Sequence, residues 1–351
     1  MPSKEVKTAL RSMVRGAYDL QKLRISMGNR VIGAWKANRG QQPGKREESE
    51  HGGMSKKDQE ILKNLRKEYK VMADGIKVFN KEKFVPGKII THWTEFCLMR
   101  EYEQLRKAEE AEFRRFESSG ILDEYLVYVK FFKPFKGIGG TLAGVFLSEI
   151  DIEKADSVSA LWKYAGLDCV EVKYKDENGV ERTRYEGRCR KEHHQVPKKY
   201  TDTDGKVKET TGISFKPFLK TKVVGVLPDC LFRSKNEKYQ NLYKLKLAEL
   251  EVHPVWGKHN DKEKPTNAEK KDYYYTSPGR RRNQARRYIA KIFLQELWVA
   301  WRICEGLPIR PSYHEAKQGG HDHNADLKKA MTGEKTNTAE RAMKEEKTIS
   351  R

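Results

Sequence analysis

Apolar residues recur at three- and four-residue steps through most of the first 120 positions. Met13, Ala17, Leu20, Met27, Val31 and Trp35 form one stripe and predict a helix over 7–36, with Arg24 interrupting the apolar face. Ile61, Leu65, Tyr69, Met72, Ile76 and Phe79 form a second stripe. Leu98, Tyr102, Leu105 and Phe113 mark a third helix over about 91–117, with Glu, Arg and Lys expected to face outward. A polar, Gly-containing linker over 38–57 separates the first two helices, and Pro86-Gly87 marks a turn before the third. Helix–helix packing accounts for these stripes. They are too short to establish a coiled coil, though they offer a surface for homo-oligomerisation.

From 122 to 168 the pattern stays helical. Leu126, Val129 and Phe132 precede the run Phe135-Lys-Gly-Ile-Gly-Gly-Thr-Leu-Ala-Gly-Val-Phe-Leu-Ser-Glu-Ile-Asp151. Ala160, Leu161 and Tyr164 belong to a further helix, for which Gly166 is the expected left-handed terminator and Leu167 its apolar companion. The pattern changes at 170. Val170-Glu-Val-Lys-Tyr alternates, Asp176-Glu-Asn-Gly supplies a turn and Arg182-Thr-Arg-Tyr follows, which predicts a basic β-hairpin. Residues 187–212 continue as polar, Lys-rich chain with a second turn at Asp202-Thr-Asp-Gly205. Helices are predicted from Pro217, over 239–252, and over 280–305 behind Ser277-Pro278. Residues 254–276 read as a charged loop.

The expected architecture is therefore mainly α. A helical region spans 1–120. A domain over 121–310 contains a helix-hairpin-helix and a small β insertion near 170–212. A disordered tail spans 311–351.

Charge sharpens this picture. Lys and Arg number 71 against 50 Asp and Glu, a formal net charge of +21, so a polyanion is the expected partner. The charge is spread along the chain rather than confined to one amphipathic face, which favours nucleic acid over a membrane surface. Five scattered cysteines with no CxxC pair argue against a disulfide framework. The polar start and the lack of any long apolar run predict a cytoplasmic protein with no membrane partner.

Two segments carry the candidate chemistry. At Gly137-Ile138-Gly139-Gly140, glycines permit positive φ and close approach of a phosphate. The N–H groups of the helix that follows point toward an anion, and Lys133 and Lys136 flank the turn. The second segment is Arg280-Arg281-Arg282-Asn-Gln-Ala-Arg286-Arg287 with Lys291 beyond, where no acidic residue intervenes. Arg282/Arg286 and Arg287/Lys291 are i,i+4 like-charge pairs, a cost that phosphates between them would offset. Tyr273–Tyr275 just upstream offer rings for base stacking or for core packing. Cys189, His193 and His194 resemble half of a zinc site that Cys169 or Cys230 would have to complete at uncommon spacing, so no metal site is assigned. His321 and His323 fall in the expected tail.

The run 135–150, the segment Ser159-Ala-Leu-Trp-Lys-Tyr-Ala-Gly-Leu-Asp168 and the basic helix with Asn283, Arg286 and Arg287 resemble the C-terminal domain of the IS-one-ten (Piv-like) insertion-sequence transposases. The match is good over about 125–168 and weaker to 305. This resemblance implies DNA binding, DNA transposition or site-specific recombination through a covalent serine–DNA link, a guide or structured RNA as a further partner, and a place at the nucleoid of a bacterial or phage-infected cell. It also implies a divalent metal such as Mg²⁺ held by four acidic residues of a ribonuclease-H-like domain. Residues 1–120 are helical in pattern instead, with Asp19, Glu60 and Asp74 on helix faces. The family's Gln-Ser-Gly stretch does not occur here, and Ser214 and Ser277 are the nearest serines in basic surroundings. Each has a plain alternative as a helix cap. The rival function is a non-catalytic DNA- or RNA-binding architectural or accessory protein, domesticated or of phage origin.

Overall fold

The computed structural model describes residues 2–41, 54–74, 80–175, 179–253 and 277–311, with 327 and 331. The expected turn at 176–178, the loop at 254–276 with Tyr273–Tyr275, and the tail with His321 and His323 lie outside the described residues, as do Ile76 and Phe79. The chain is mainly α-helical and divides into two compact units, Thr8–Ile121 and Met1–Lys7 with Leu122–Arg351.

In the first unit, α1 (Lys4–Ala37), α2 (Lys56–Asp74) and α3 (Trp93–Ser118) bury one face each. Met27, Val31, Ile32, Leu65, Ile90, Phe96, Met99 and Tyr102 make its core. The expectation that the charged residues of α3 all face outward is corrected here. Glu95, Glu103 and Glu109 are buried. Each meets an arginine: Arg39 at 2.6 Å from Glu95, Arg66 at 2.5 Å from Glu103, and Arg24 on Glu109. The arginine that interrupts the apolar stripe of α1 is thus the counter-ion of a buried carboxylate, which burial of either group requires.

Glu95 ties the end of α1 to the start of α3. It accepts from Asn38 (3.0 Å), Arg39 and the Thr91 backbone N–H (2.9 Å). Glu68 of α2 accepts three successive backbone N–H groups, from Lys88, Ile89 and Ile90 at 2.6–2.8 Å. Gly87 lets that carboxylate come close, because a Cβ there would lie 2.8 Å from it.

The second unit contains α4 (Gly140–Glu149), α5 (Val158–Tyr164), α6 (Pro217–Thr221), α7 (Leu227–Arg233), α8 (Glu237–Val252) and α9 (Pro278–Cys304). Wide π-type turns at Tyr128–Phe132 and Lys222–Val226 precede the glycine turn and α7. Between α5 and α6 the chain forms two separate antiparallel ribbons. β1 (Cys169–Lys175) pairs with β2 (Glu181–Gly187), and β3 (Gln195–Thr201) pairs with β4 (Val207–Ile213). The second ribbon lies within the β insertion expected near 170–212 and reverses at the turn expected at Asp202–Gly205, although the sequence marks its strands only as polar, Lys-rich chain. Its strands are almost wholly exposed and Lys-rich, so they lack the alternation that marks a half-buried strand.

The core of this unit is organised on α9. Phe293, fully buried, packs against Phe131, Phe135, Phe146 and Tyr239 with ring centroids 5.3–6.3 Å apart. One turn on, Trp298 donates to Ala155 O at 2.6 Å, and Arg302 donates to Ile152 O (3.1 Å) and Ala155 O (3.0 Å). These bonds satisfy the carbonyls of the α4–α5 connection, which would otherwise be buried unpaired.

The Glu95 cluster sets a pH dependence. Burial pushes the Glu95 carboxyl up, but Arg39, Asn38 and the Thr91 N–H outweigh it and hold the folded-state value below the ordinary 4.5. Glu103 is lowered in the same way by Arg66 and Arg106. Their contribution is complete above the unfolded value and is lost as pH falls through the folded one. Glu95→Gln is expected to be about 2–4 kcal/mol less stable than the parent at pH 7. In urea unfolding the difference shrinks as pH is lowered through 4.5 toward 3.

Candidate nucleic-acid interface

The glycine turn follows from three residues. Gly137 has φ +110°, a conformation that L side chains rarely adopt, and a Cβ there would collide with the Ser234 side chain and lie 3.3 Å from Cys230 O. Ile138 is buried and anchors the turn to the core. Gly139 caps α4 with extended backbone at φ −85°, is exposed, and has open space where its Cβ would be. The outer rim of the turn is therefore accessible, while its inner edge is packed on α7. Asn236 donates to Lys136 O at 3.0 Å and fixes the entry to the turn. Lys136 is exposed, Gly140 is half-buried, and Lys133 forms an ion pair with Asp123 at 2.5 Å.

The basic stretch of α9 divides into separate roles. Ser277 is the N-cap of this helix, its Oγ accepting from Arg280 N at 3.3 Å, so its placement is that of a structural cap. Arg281 is buried, Arg280 is half-buried and Arg282 is exposed. Arg286 pairs with Asp229 at 2.8 Å. Arg287 reaches across to Gly166 O at 3.4 Å and lies against Gly187, where a Cβ would come within 3.1 Å of the guanidinium. Lys291 lies over the Trp162 ring at 5.1 Å, and the Trp162 indole donates to Lys291 O at 3.1 Å. The tract is thus no uniform solvent-facing comb.

Arg287 and Lys291 instead belong to a cationic cluster that the sequence pattern did not reveal. Gly166, at φ +67°, ends α5, with Leu167 N bonded to Trp162 O at 2.9 Å. That reversal sets Asp168 beside Arg188, which binds the carboxylate through Nε and Nη2 at 2.7–3.0 Å. Arg188 also donates to Ser214 Oγ at 2.6 Å. Lys220 donates to Arg188 O and sits 4.5 Å over the Phe215 ring. Gly166 makes room for both, since a Cβ there would lie 2.8 Å from Phe215 and 3.0 Å from Lys220.

Burial, then the nearby Arg287 and Arg188, push the Lys220 ammonium down to about 8, with Cys189 and Asp168 opposing. Burial also lowers Arg287 and Lys291, Asp168 again opposing. The Asp168 bond, set against burial, raises Arg188. Lys222, on the next turn, is likewise pushed down to about 8 by burial. Arg188 and Lys220 had a faint sequence signal at most, as lone cations beside apolar or strand positions.

Cys169 is exposed. Cys189 stands beside His194, its Sγ 2.7 Å from Nδ1. Neither Cys169 nor Cys230 joins them, and the carboxylate that does is Glu186, which sequence reading passed over. Burial and the adjacent His193 lower His194, against the opposing pull of Glu186. Among the described residues of 1–120, no group of acidic side chains stands at metal-ligand spacing. Asp19 pairs with Lys22 at 2.7 Å and Glu60 with Lys63 at 3.8 Å. Among the described residues the Glu186 group is the one assembly with ligand geometry. Also among the described residues, no helix is long and apolar enough to cross a membrane. No protein-family model, curated protein or solved structure matches this chain.

The two turn glycines separate in their expected response to substitution. Gly137→Ala costs about 1–2 kcal/mol from the positive φ alone, with the Ser234 collision added. Gly139→Ala stays within about 0.5 kcal/mol of the parent. Urea unfolding monitored by circular dichroism measures both.

Proposed function

We propose that this chain is a nucleic-acid-binding protein of the transposase or recombinase type, whose second unit holds a phosphate backbone. The observation that carries the reading is the meeting of Arg188, Lys220, Arg287 and Lys291, from three segments, around the carboxylate of Asp168. Cations held in half-buried surroundings with such an imbalance suit an added anion, and a phosphodiester offers acceptor oxygens to guanidinium and ammonium groups alike. The exposed rim at Lys136 and Gly139, with the start of α4 behind it, supplies a second backbone grip without base readout. The net charge of +21 draws the polymer in.

Ser214 is the candidate nucleophile. In a strand-transfer step its Oγ would bond to phosphorus, the bond from phosphorus to one DNA oxygen would break, and that oxygen would leave with a proton. The serine proton passes to solvent or a base, so the number of phosphodiester linkages is conserved. Arg188, already on Oγ, would stabilise the developing charge there. The second reading, a non-catalytic DNA- or RNA-binding protein, is favoured by the same bond if it merely fixes the β4–α6 junction.

Filter binding over a salt series and denaturing gels with supercoiled DNA test the reading. Replacing Arg287 and Lys291 together by Ala is expected to flatten the log–log salt slope by about 1.8, roughly 0.9 per phosphate contact. Gly139→Val weakens binding without changing the melting temperature. A covalent protein–DNA adduct lost in Ser214→Ala, with affinity retained, identifies the recombinase, and binding with no adduct identifies the second reading. Unchanged slope and affinity in both binding variants overturn the proposal. Sequencing of co-purified nucleic acid separates DNA from RNA.

A further inference from the structure

Beside the cationic cluster lies a group of side chains that phosphate binding does not use. Glu186 is on β2, one residue before its end, and His193 and His194 form the single turn Glu192–His194 that leads into β3. Glu186 Oε2 is 3.6 Å from His194 Nε2 and 3.9 Å from His193 Nε2, and the three ligand atoms all lie within 4.8 Å of one another. Donors 2.0–2.2 Å from a tetrahedral ion stand about 3.4 Å apart, so the three need to close by a few tenths of an ångström to somewhat over one. The two imidazoles meet edge to face, 4.3 Å between centroids.

A second observation points to a ligand. The His194 side chain is completely buried, and among the described residues its Nε2, aimed at Glu186, has no hydrogen-bond partner. A buried ring nitrogen left this way is costly unless something occupies the space before it. The other ring nitrogen, Nδ1, accepts from the Cys189 backbone N–H at 3.1 Å and lies 2.7 Å from Cys189 Sγ. Because Cys189 lies behind the ring, it is an orienting partner rather than a fourth ligand. With an ion on Nε2, the imidazole proton moves to Nδ1, which then gives up the Cys189 N–H bond and donates to the adjacent sulfur, the way an outer partner commonly fixes a metal-binding histidine.

We propose that Glu186, His193 and His194 form a binding site for one divalent transition ion of the zinc class. Two imidazoles and one carboxylate favour such an ion over Mg²⁺ or Ca²⁺. His193 is half-exposed, leaving solvent access for a fourth position. Lys191, whose ammonium is 3.6 Å from Glu186 Oε2, is exposed and swings away when the ion enters. The ion ties the end of the first ribbon to the start of the second and so braces Arg188 and Cys189 between them. The site stands on its own observations and does not depend on nucleic-acid binding.

The test is titration of the chelator-treated full-length chain with Co²⁺, read by its visible absorption, followed by competition with Zn²⁺. One saturable site per chain, emptied of Co²⁺ by Zn²⁺, is expected. His194→Gln and His193→Gln each weaken binding by about 100-fold or more, beyond the 10–100-fold typical of losing an outer partner. His193 is exposed enough that its replacement leaves the fold intact, which keeps the test sound if His194→Gln unfolds. The double change His321→Gln with His323→Gln leaves the affinity as it was. Absence of a saturable site, or equal affinity in His193→Gln and the parent, overturns the proposal.

Discussion

The second unit depends on the burial of Phe293. A ring at that position of α9 touches the chain before the glycine turn (Phe131, Phe135), the helix after it (Phe146) and α8 (Tyr239). Each aromatic pair contributes about 0.5–1.5 kcal/mol beyond the area it removes from water. Their common member fixes the distance between the turn and the helix that carries Arg287 and Lys291. The polar ends of the same helix are anchored differently. Ser277 closes its start, and Trp298 and Arg302 bind carbonyls of the α4–α5 connection near its end. A rigid α9 is what allows cations one turn apart to be held in half-buried positions despite their repulsion.

The two units handle charge in opposite ways. In Thr8–Ile121 each buried carboxylate of α3 is matched by arginine, so the helices are locked by neutral assemblies. Around Asp168 the balance is left positive. Burial that depresses Lys220, Arg287 and Lys291 is tolerated there because Phe215, Trp162 and backbone carbonyls supply polarisable or dipolar partners in place of carboxylates. A protein optimised for stability alone would place acids in those positions, and the excess of cations is the feature on which the proposed phosphate grip rests.

Helices were legible where one stripe dominated. α1, α3 and α9 lie within a few residues of the spans their apolar periodicities predict, and Gly166 takes the left-handed conformation expected of it. Of the second ribbon, the turn at Asp202–Gly205 and the place within the β insertion were legible, but its strands were not, since they bury almost nothing and periodicity reports burial. The turn glycines were visible as a pair but not as separate parts, because only the fold shows Gly137 facing Ser234 and Gly139 facing open space. The cluster of Arg188, Lys220 and Ser214 was hidden for a simpler reason. Its members are distant in sequence and are joined by the reversal at Gly166 and the closure of β4 onto α6. Ser214 stood out only because its neighbours were basic, and Ser277 shared that signal while serving as a cap.

The two ribbons have a further consequence. A two-stranded hairpin without a covering layer is barely stable by itself, and β3 and β4 expose nearly every side chain. Their amides should therefore exchange with solvent through local opening, independently of the slow global unfolding of the helical core. Order in the second ribbon then becomes a property that an adjacent binding event can raise, and the segment leading into it, around Arg188, is where such ordering would be felt.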